Sequence, residues 1–331
     1  MAVAGLFVML AALGGCAAPA PAPIAVETPV TGKPLDAIVG VYTEIPEGAR
    51  STEFLGTRRQ GSGVLIDDHG LILTIGYLVM EADQAAVVGP SGDIIKASVV
   101  AYDPETGFGL LRAEGPVGAK PLRLGSSAGL AEGQRVLAVS FSGSRPVVVA
   151  TVVSRRTFAG YWEYLLENAI FTVPVQSEFG GAALIDETGS LIGIGSLIVN
   201  DARQTEQPVF GNMFVPVDVL KPILEDMVAS GRGRTPPAPW LGIYTEQAEG
   251  RVFITRIADG GPAQAAGLKP GDIIIGVDGH RIRDMTDFLR KVRLQGSAGA
   301  NIPLDVLPTG AGSLDIARVV VTSGDRHDWL K

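Results

Sequence analysis

Cysteine is almost missing from this chain. Cys16 is the only one in 331 residues, so no internal disulfide can form and no cysteine cluster can hold zinc. Histidine is nearly as scarce, the three being His69, His280 and His327. So few nitrogen and sulfur donors leave no metal site of the His/Cys type to expect, and nothing in the chain calls for a cofactor. Basic charge is short too: 27 Lys and Arg stand against 35 Asp and Glu, a net charge of −8, with Arg58-Arg59 and Arg155-Arg156 as isolated pairs. A general nucleic-acid partner, which needs clustered Lys and Arg, is excluded. The N-terminal apolar run is too short to cross a membrane comfortably.

What is present is a chain with 46% hydrophobic and 19% charged residues, long enough for two or three globular domains. It opens with MAVAGLFVMLAALGGC, an apolar core that ends in small residues and a Cys, the order of a signal peptide. Leu13-Gly14-Gly15-Cys16 resembles the lipobox of bacterial lipoproteins, which implies cleavage before Cys16 and acylation of that thiol. The other reading of the segment is a plain secretory signal. No Lys or Arg precedes the apolar run, so the natural start is expected upstream of Met1. Residues 1–15 are thus read as a lipoprotein signal peptide and 16–35 as an Ala/Pro-rich, semi-rigid tether.

From Asp36 onward short apolar runs alternate with Gly, Asp and Pro turns, which suits a barrel or a sandwich. GVLI (63–66), LILT (71–74), QAAVV, KASVVAY, RVLAVSF, PVVVATVVS and LIGIGSLIV read as strands, and Asp67-Asp68-His69-Gly70 as a turn. VDVLKPILEDMVASG (217–231) is predicted to be a helix with Val217, Leu220, Leu224 and Met227 on one face. GRGRTPPAP is a linker by composition. RDMTDFLRKVRLQ (283–295) places Met285, Phe288, Leu289 and Val292 at helical spacing, and PLDVLP and IARVVVT follow as strands.

The motif order settles what periodicity leaves open. GSGVLIDDHGLILT, LTIGYLVMEA, DPETGFGLLRA, LRLGSSAGLAEGQRVLAVSF, VQSEFGGAALID and GNMFVPVDVLKPIL, in that sequence, resemble the protease domain of HtrA/DegP-type serine proteases. WLGIYTEQAEGRVFITRIADGGPAQAAGLKPGDIIIGVDGHRI resembles a PDZ domain of the bacterial protease type. The resemblance implies a mostly β fold: a chymotrypsin-like double β-barrel followed by an α+β PDZ domain. The organisation is then a trypsin-like domain over 36–228, a linker over 229–239, a PDZ domain over 240–323 and a tail over 324–331.

Within that resemblance all three catalytic positions are replaced. Tyr77 stands where the His belongs, Gly107 where the Asp belongs and Phe179 where the Ser belongs, at intervals of 30 and 72 residues (107 − 77 and 179 − 107) that match the family's layout. The serine mechanism requires a hydroxyl, a base to take its proton and a carboxylate to orient the base. A phenol of pKa near 10 is no imidazole at neutral pH, glycine orients nothing and phenylalanine has no hydroxyl. Ser177 occupies the place of an oxyanion-hole Gly, and a carboxylate on Glu178 opposes the charge that develops in acyl transfer. The three His read as solvated turn or tail residues.

The PDZ resemblance implies a peptide site. Trp240-Leu241-Gly242-Ile243 would be the loop that captures a terminal carboxylate with backbone N–H groups, with pocket walls from Ile243, Phe288 and Val292. Helical spacing alone leaves Phe288 and Val292 equally readable as core. The resulting expectation is a non-catalytic, HtrA-like lipoprotein that holds polypeptide segments or C-termini at the periplasm-facing cell envelope, as an adaptor, a holder or a regulator of an active protease. Two alternatives stand beside it: an active serine endopeptidase with an unusual site, and a structural envelope protein. The family implies a homo-trimer, the lipid anchor a membrane partner, and Ala17 after the lipidated Cys leans toward the outer membrane.

Overall fold

The protein is described here from a computed structural model, which covers residues 34–142, 146–233, 236–310 and 315–330. The signal peptide, Cys16 and nearly all of the tether lie outside the described residues.

The first six strands close on themselves because their apolar residues demand one shared interior. They are β1 (Ile38–Glu44), β2 (Arg58–Leu65), β3 (Leu71–Ile75), β4 (Gln84–Val88), β5 (Ile94–Tyr102) and β6 (Phe108–Ala113), with a one-turn helix, α1 (Thr52–Leu55), between β1 and β2. The barrel order is β1-β2-β3-β6-β5-β4, which leaves no free edge. Val39, Val41, Val64, Ile72, Leu73, Leu110 and Leu111 are fully buried in it. Each such side chain contributes about 1.5–3 kcal/mol relative to leaving it in water. At the β2–β3 turn the Asp67 carboxylate accepts the N–H groups of His69 (2.8 Å) and Leu71 (2.7 Å). That hydrogen bonding is why the Asp-Asp-His-Gly run turns where it does.

A second barrel follows, of β7 (Arg135–Val139), β8 (Val147–Gly160), β9 (Tyr164–Val173), β10 (Ala183–Ile185), β11 (Leu191–Val199) and β12 (Gly211–Pro216). It closes in the order β10-β11-β12-β9-β8-β7 around Ala150, Val152, Ile170, Leu184, Ile192 and Phe214. Two features go beyond the sequence reading. β8 continues past the predicted end at Ser154 to Gly160, and β9 was not anticipated at all. The two pair from Thr151↔Val173 to Gly160↔Tyr164, making a long hairpin with Tyr161, Trp162 and Glu163 at its tip.

The helix predicted over 217–231 is broken in two. A single 3-10 turn covers Val217–Val219, and the α-helix, α2, is only Leu224–Ser230. Pro222 lies between them; it lacks an N–H and restricts the residue before it, so one continuous helix cannot form. Val217, Leu220 and Met227 are nevertheless buried as expected.

The third unit is a six-stranded sheet in the order β13-β14-β15-β17-β18, with β16 on β15. Its strands are β13 (Ile243–Ala248), β14 (Arg251–Ile257), β15 (Ile273–Val277), β16 (His280–Arg281), β17 (Asn301–Leu307) and β18 (Ala317–Thr322). α3 (Pro262–Ala265) and α4 (Met285–Leu294) cover it. Asp284 caps α4 by accepting the Asp287 N–H at 2.7 Å, and Met285, Phe288, Leu289 and Val292 form its buried face. The expected tail ends in a short helix, α5 (Arg326–Trp329), that packs back on the fold: Trp329 lies 4.8 Å from Trp240.

Candidate functional site

Tyr77, Gly107 and Phe179, far apart in sequence, line one cavity of about 640 Å³. β3 delivers Tyr77 through the 3-10 turn Gly76–Leu78, the turn into β6 delivers Gly107, and the loop before β10 delivers Phe179. Residues separated by 30 and 72 positions thus share one cavity. None of the three His lines the cavity, and His69 and His280 are exposed on their turns.

The three residues are held by hydrogen bonds and packing. Tyr77 donates its hydroxyl to the Ser196 carbonyl at 3.0 Å, tying the first barrel to the second. Burial pushes the phenol well above its ordinary value, so it stays protonated and acts as a donor. Gly107 has φ +81°, and its carbonyl accepts the Gly76 N–H at 2.6 Å. A Cβ on it would lie 3.3 Å from the Tyr164 hydroxyl, which donates to the Thr106 carbonyl at 2.6 Å. Phe179 is partly buried, and its carbonyl accepts the Ala182 N–H at 3.0 Å.

Gly180 and Gly181 form the turn that carries Phe179. The Gly180 carbonyl accepts the Ser62 N–H at 2.8 Å, and the Gly181 N–H donates to Gly195 at 2.9 Å. Gly181 has φ +75°, and a Cβ there would meet the Ser62 carbonyl oxygen at 1.9 Å. The glycine is required by close backbone approach between the barrels, whatever the chemistry of its neighbour. Ser177 and Glu178 are exposed, and the Glu178 N–H is turned toward the Gln176 side chain at 3.4 Å.

Aromatic rings join this cavity to the third unit. Trp162 stacks on Tyr164 at 5.5 Å, Tyr161 meets Trp162 edge-on at 4.8 Å, and Tyr161 lies 6.3 Å from Tyr244. The Arg256 guanidinium covers Tyr244 at 3.5 Å and Phe54 at 3.9 Å, as cations do on ring faces. Arg326 of α5 donates to the Trp162 carbonyl at 3.1 Å.

The loop 240–243 is where the sequence reading and the structure meet a residue that the reading missed. The N–H groups of Leu241, Gly242 and Ile243 all donate to the Glu163 carboxylate: Leu241 to Oε2 at 2.9 Å, Gly242 and Ile243 to Oε1 at 2.7 and 2.9 Å. Burial pushes the Glu163 carboxyl up to about 7, against the opposite pull of those three donors and of Arg326. Gly242, at φ +78°, is needed inside the loop, because a Cβ would sit 3.3 Å from Pro262 and 3.4 Å from the Trp240 ring. Trp240 pairs with Gly324 through N–H to carbonyl bonds of 3.0 and 2.8 Å and packs at a tilt against Trp329, so it braces the loop. Phe288 and Val292 are buried in one apolar cluster with Leu241, Ile243 and Leu165 of β9. The clue available in sequence was Tyr161-Trp162-Glu163-Tyr164, an acid set among three aromatics in a chain that is only 6% aromatic.

Among the described residues no cluster of His, Cys, Asp and Glu is placed to hold a metal ion, and no helix is long and apolar enough to cross a membrane.

Comparison with known proteins agrees with this architecture. The family described as "Trypsin-like peptidase domain" matches residues 61–194, and the family described as "PDZ domain" matches 253–307. A putative serine protease HhoA of Synechocystis sp. is 27% identical over 280 residues, covering 75% of this chain and 67% of its own length. A probable periplasmic serine endoprotease, DegP-like, of Pseudomonas fluorescens is 27% identical over 281 residues, covering 80% and 56%. Serine protease PepD of Mycobacterium tuberculosis is 24% identical over 307 residues, covering 86% and 63%. The chain thus spans roughly half to two thirds of the length of these relatives. In fold it is similar to the HtrA-type protease AlgW solved with a decapeptide, with a TM-score of 0.54 at 21% identity, covering 88% of this chain and 96% of that one. The chain thus carries a trypsin-like peptidase domain followed by a PDZ domain, on two closed barrels and a third sheet, and the relatives it is similar to are named as HhoA and DegP-like serine proteases.

Proposed function

We propose that this chain is a non-catalytic HtrA-type protein that binds polypeptide segments or C-termini at the cell envelope, as an adaptor, a holder or a regulator of an active protease. The observation that carries the reading is the convergence of Tyr77, Gly107 and Phe179 on one cavity. Acyl transfer needs a nucleophile, a base and an orienting acid in contact, and these three supply none of the roles. Fold likeness to active proteases does not restore them, because activity resides in the site and not in the barrel.

Polypeptide as the ligand class is supported by the PDZ match and by the relatives solved with a tripeptide or a decapeptide bound. Placement at the envelope is supported by relatives named as periplasmic and by the lipobox-like Leu13-Gly14-Gly15-Cys16, with acylated Cys16 as the membrane anchor and the outer membrane favoured by Ala17. Loss of labelled palmitate from a Cys16→Ser chain tests the anchor.

The activity test is digestion of reduced, unfolded casein by the full chain beside its Phe179→Ala variant. The expected result is no cleavage by either above a mock purification. Cleavage that follows the chain through purification and responds to Phe179→Ala would return the protein to the serine endopeptidases.

A further inference from the structure

The tip of the β8–β9 hairpin sits in the third unit as a ligand sits in a PDZ groove. Three consecutive backbone N–H groups, Leu241 to Ile243, close on one carboxylate, that of Glu163, at 2.7–2.9 Å. Two residues further along β13, the Thr245 N–H donates to the Tyr161 carbonyl at 2.8 Å, two residues before Glu163. One backbone bond thus ties the hairpin turn to the edge strand β13, beside the carboxylate held by the loop before it. On the apolar side Leu165, only 4% exposed, enters the cluster of Leu241, Ile243, Phe288 and Val292. Helix α4 closes the far side, where Arg290 donates to Glu167 at 2.7 Å and to the Thr157 hydroxyl at 3.1 Å.

Adhesion between domains does not require this chemistry. Apolar side chains would join the surfaces without burying a carboxylate, and Glu163 is also held at φ +60°, a left-handed conformation that disfavours non-glycine residues. A strained, charged residue persists where the surroundings fix it, and here three N–H groups do so. A free chain terminus offers the same two oxygens to the same donors without the strain.

We infer that the PDZ groove is closed by an internal ligand, the β8–β9 hairpin, and that a polypeptide C-terminus with an apolar last residue binds there by displacing Glu163 and Leu165. The inference rests on the polypeptide-binding reading above and adds the condition under which binding occurs. Apparent affinity for a C-terminus is the intrinsic affinity reduced by the fraction of molecules whose hairpin has withdrawn. Loosening the hairpin therefore tightens binding.

The test uses the full chain, its Glu163→Ala variant and its Glu163→Gln variant, which keeps the side-chain volume should the alanine chain fail to fold. The probes are a fluorescent decapeptide pool randomised at its last three positions with a free terminal carboxylate, and the same pool amidated. Expected is a gain of at least about tenfold in affinity for the carboxylate pool on Glu163→Ala, a smaller gain on Glu163→Gln, and none for the amide pool. Backbone N–H exchange at Leu241, Gly242 and Ile243 should accelerate in parallel. Equal, measurable affinity of all three chains would overturn the displacement and leave peptide binding intact. Binding by none of them would overturn both the displacement and the peptide-binding reading of this groove.

Discussion

The Tyr164 hydroxyl stands 3.3 Å from the point where a side chain on Gly107 would begin. Gly107, read above as the position of the catalytic acid, is therefore closed by a ring that is itself held, through its hydroxyl, on Thr106. Rebuilding the triad by Tyr77→His, Gly107→Asp and Phe179→Ser is expected to give no labelling by a fluorophosphonate. An aspartate at φ +81° is strained by about 1–2 kcal/mol and points toward Tyr164. Stoichiometric labelling of the triple variant would show that the cleft has kept its catalytic shape.

Tyr77 is a structural donor on this reading. Tyr77→Phe deletes the bond to the Ser196 carbonyl and is expected to lower the unfolding free energy by about 1 kcal/mol, read from the urea midpoint. A change of 0.2 kcal/mol or less, on the order of measurement error, would mean that the bond adds nothing to the seam between the barrels.

Gly181→Ala is the severe case. Its Cβ would overlap the Ser62 carbonyl oxygen at 1.9 Å from a left-handed backbone, and that oxygen belongs to the main chain of β2 and cannot swing aside. A loss of about 3 kcal/mol or more is expected, against about 1–2 kcal/mol for Gly92→Ala, whose Cβ meets nothing within 4 Å and which carries only the φ +87° strain. Similar urea midpoints for the two variants would refute the close-approach argument.

Glu163 sets the sign of a pH dependence. Seated, its carboxyl lies at about 7, and withdrawn it returns toward the ordinary 4.5. The seated hairpin thus holds more protons between those values, so seating is favoured below the window and loses that advantage as pH rises through about 7. Peptide affinity of the wild-type chain should rise between about pH 5.5 and pH 8, and the Glu163→Gln chain should show a much flatter profile. A slope that survives unchanged in Glu163→Gln would show that the effect does not arise from Glu163.

Much of the architecture was legible in order and spacing. The apolar runs at 63–66, 71–74 and 84–88 fall in β2, β3 and β4, and the helical spacing of Met285, Phe288, Leu289 and Val292 is the buried face of α4. What failed was local continuity. Pro222 split a predicted helix, and β9 escaped notice because YLLENAIFTV lacks a clean alternation: its residues lie buried both in the barrel and against the third unit. A strand covered on both faces carries no period-two signal.

The sequence by itself determined which side chains Tyr77, Gly107 and Phe179 bring to the cavity, since that is a matter of residue identity. It also determined which backbone would offer N–H groups to an anion at 240–243. Only the tertiary structure decided which anion they meet. Glu163 lies 79 residues from Gly242, and a hydrogen bond across that separation leaves no periodic trace in the chain. Periodicity reports which face of an element is buried; the identity of what covers that face is set by long-range packing, and here it is the protein's own hairpin.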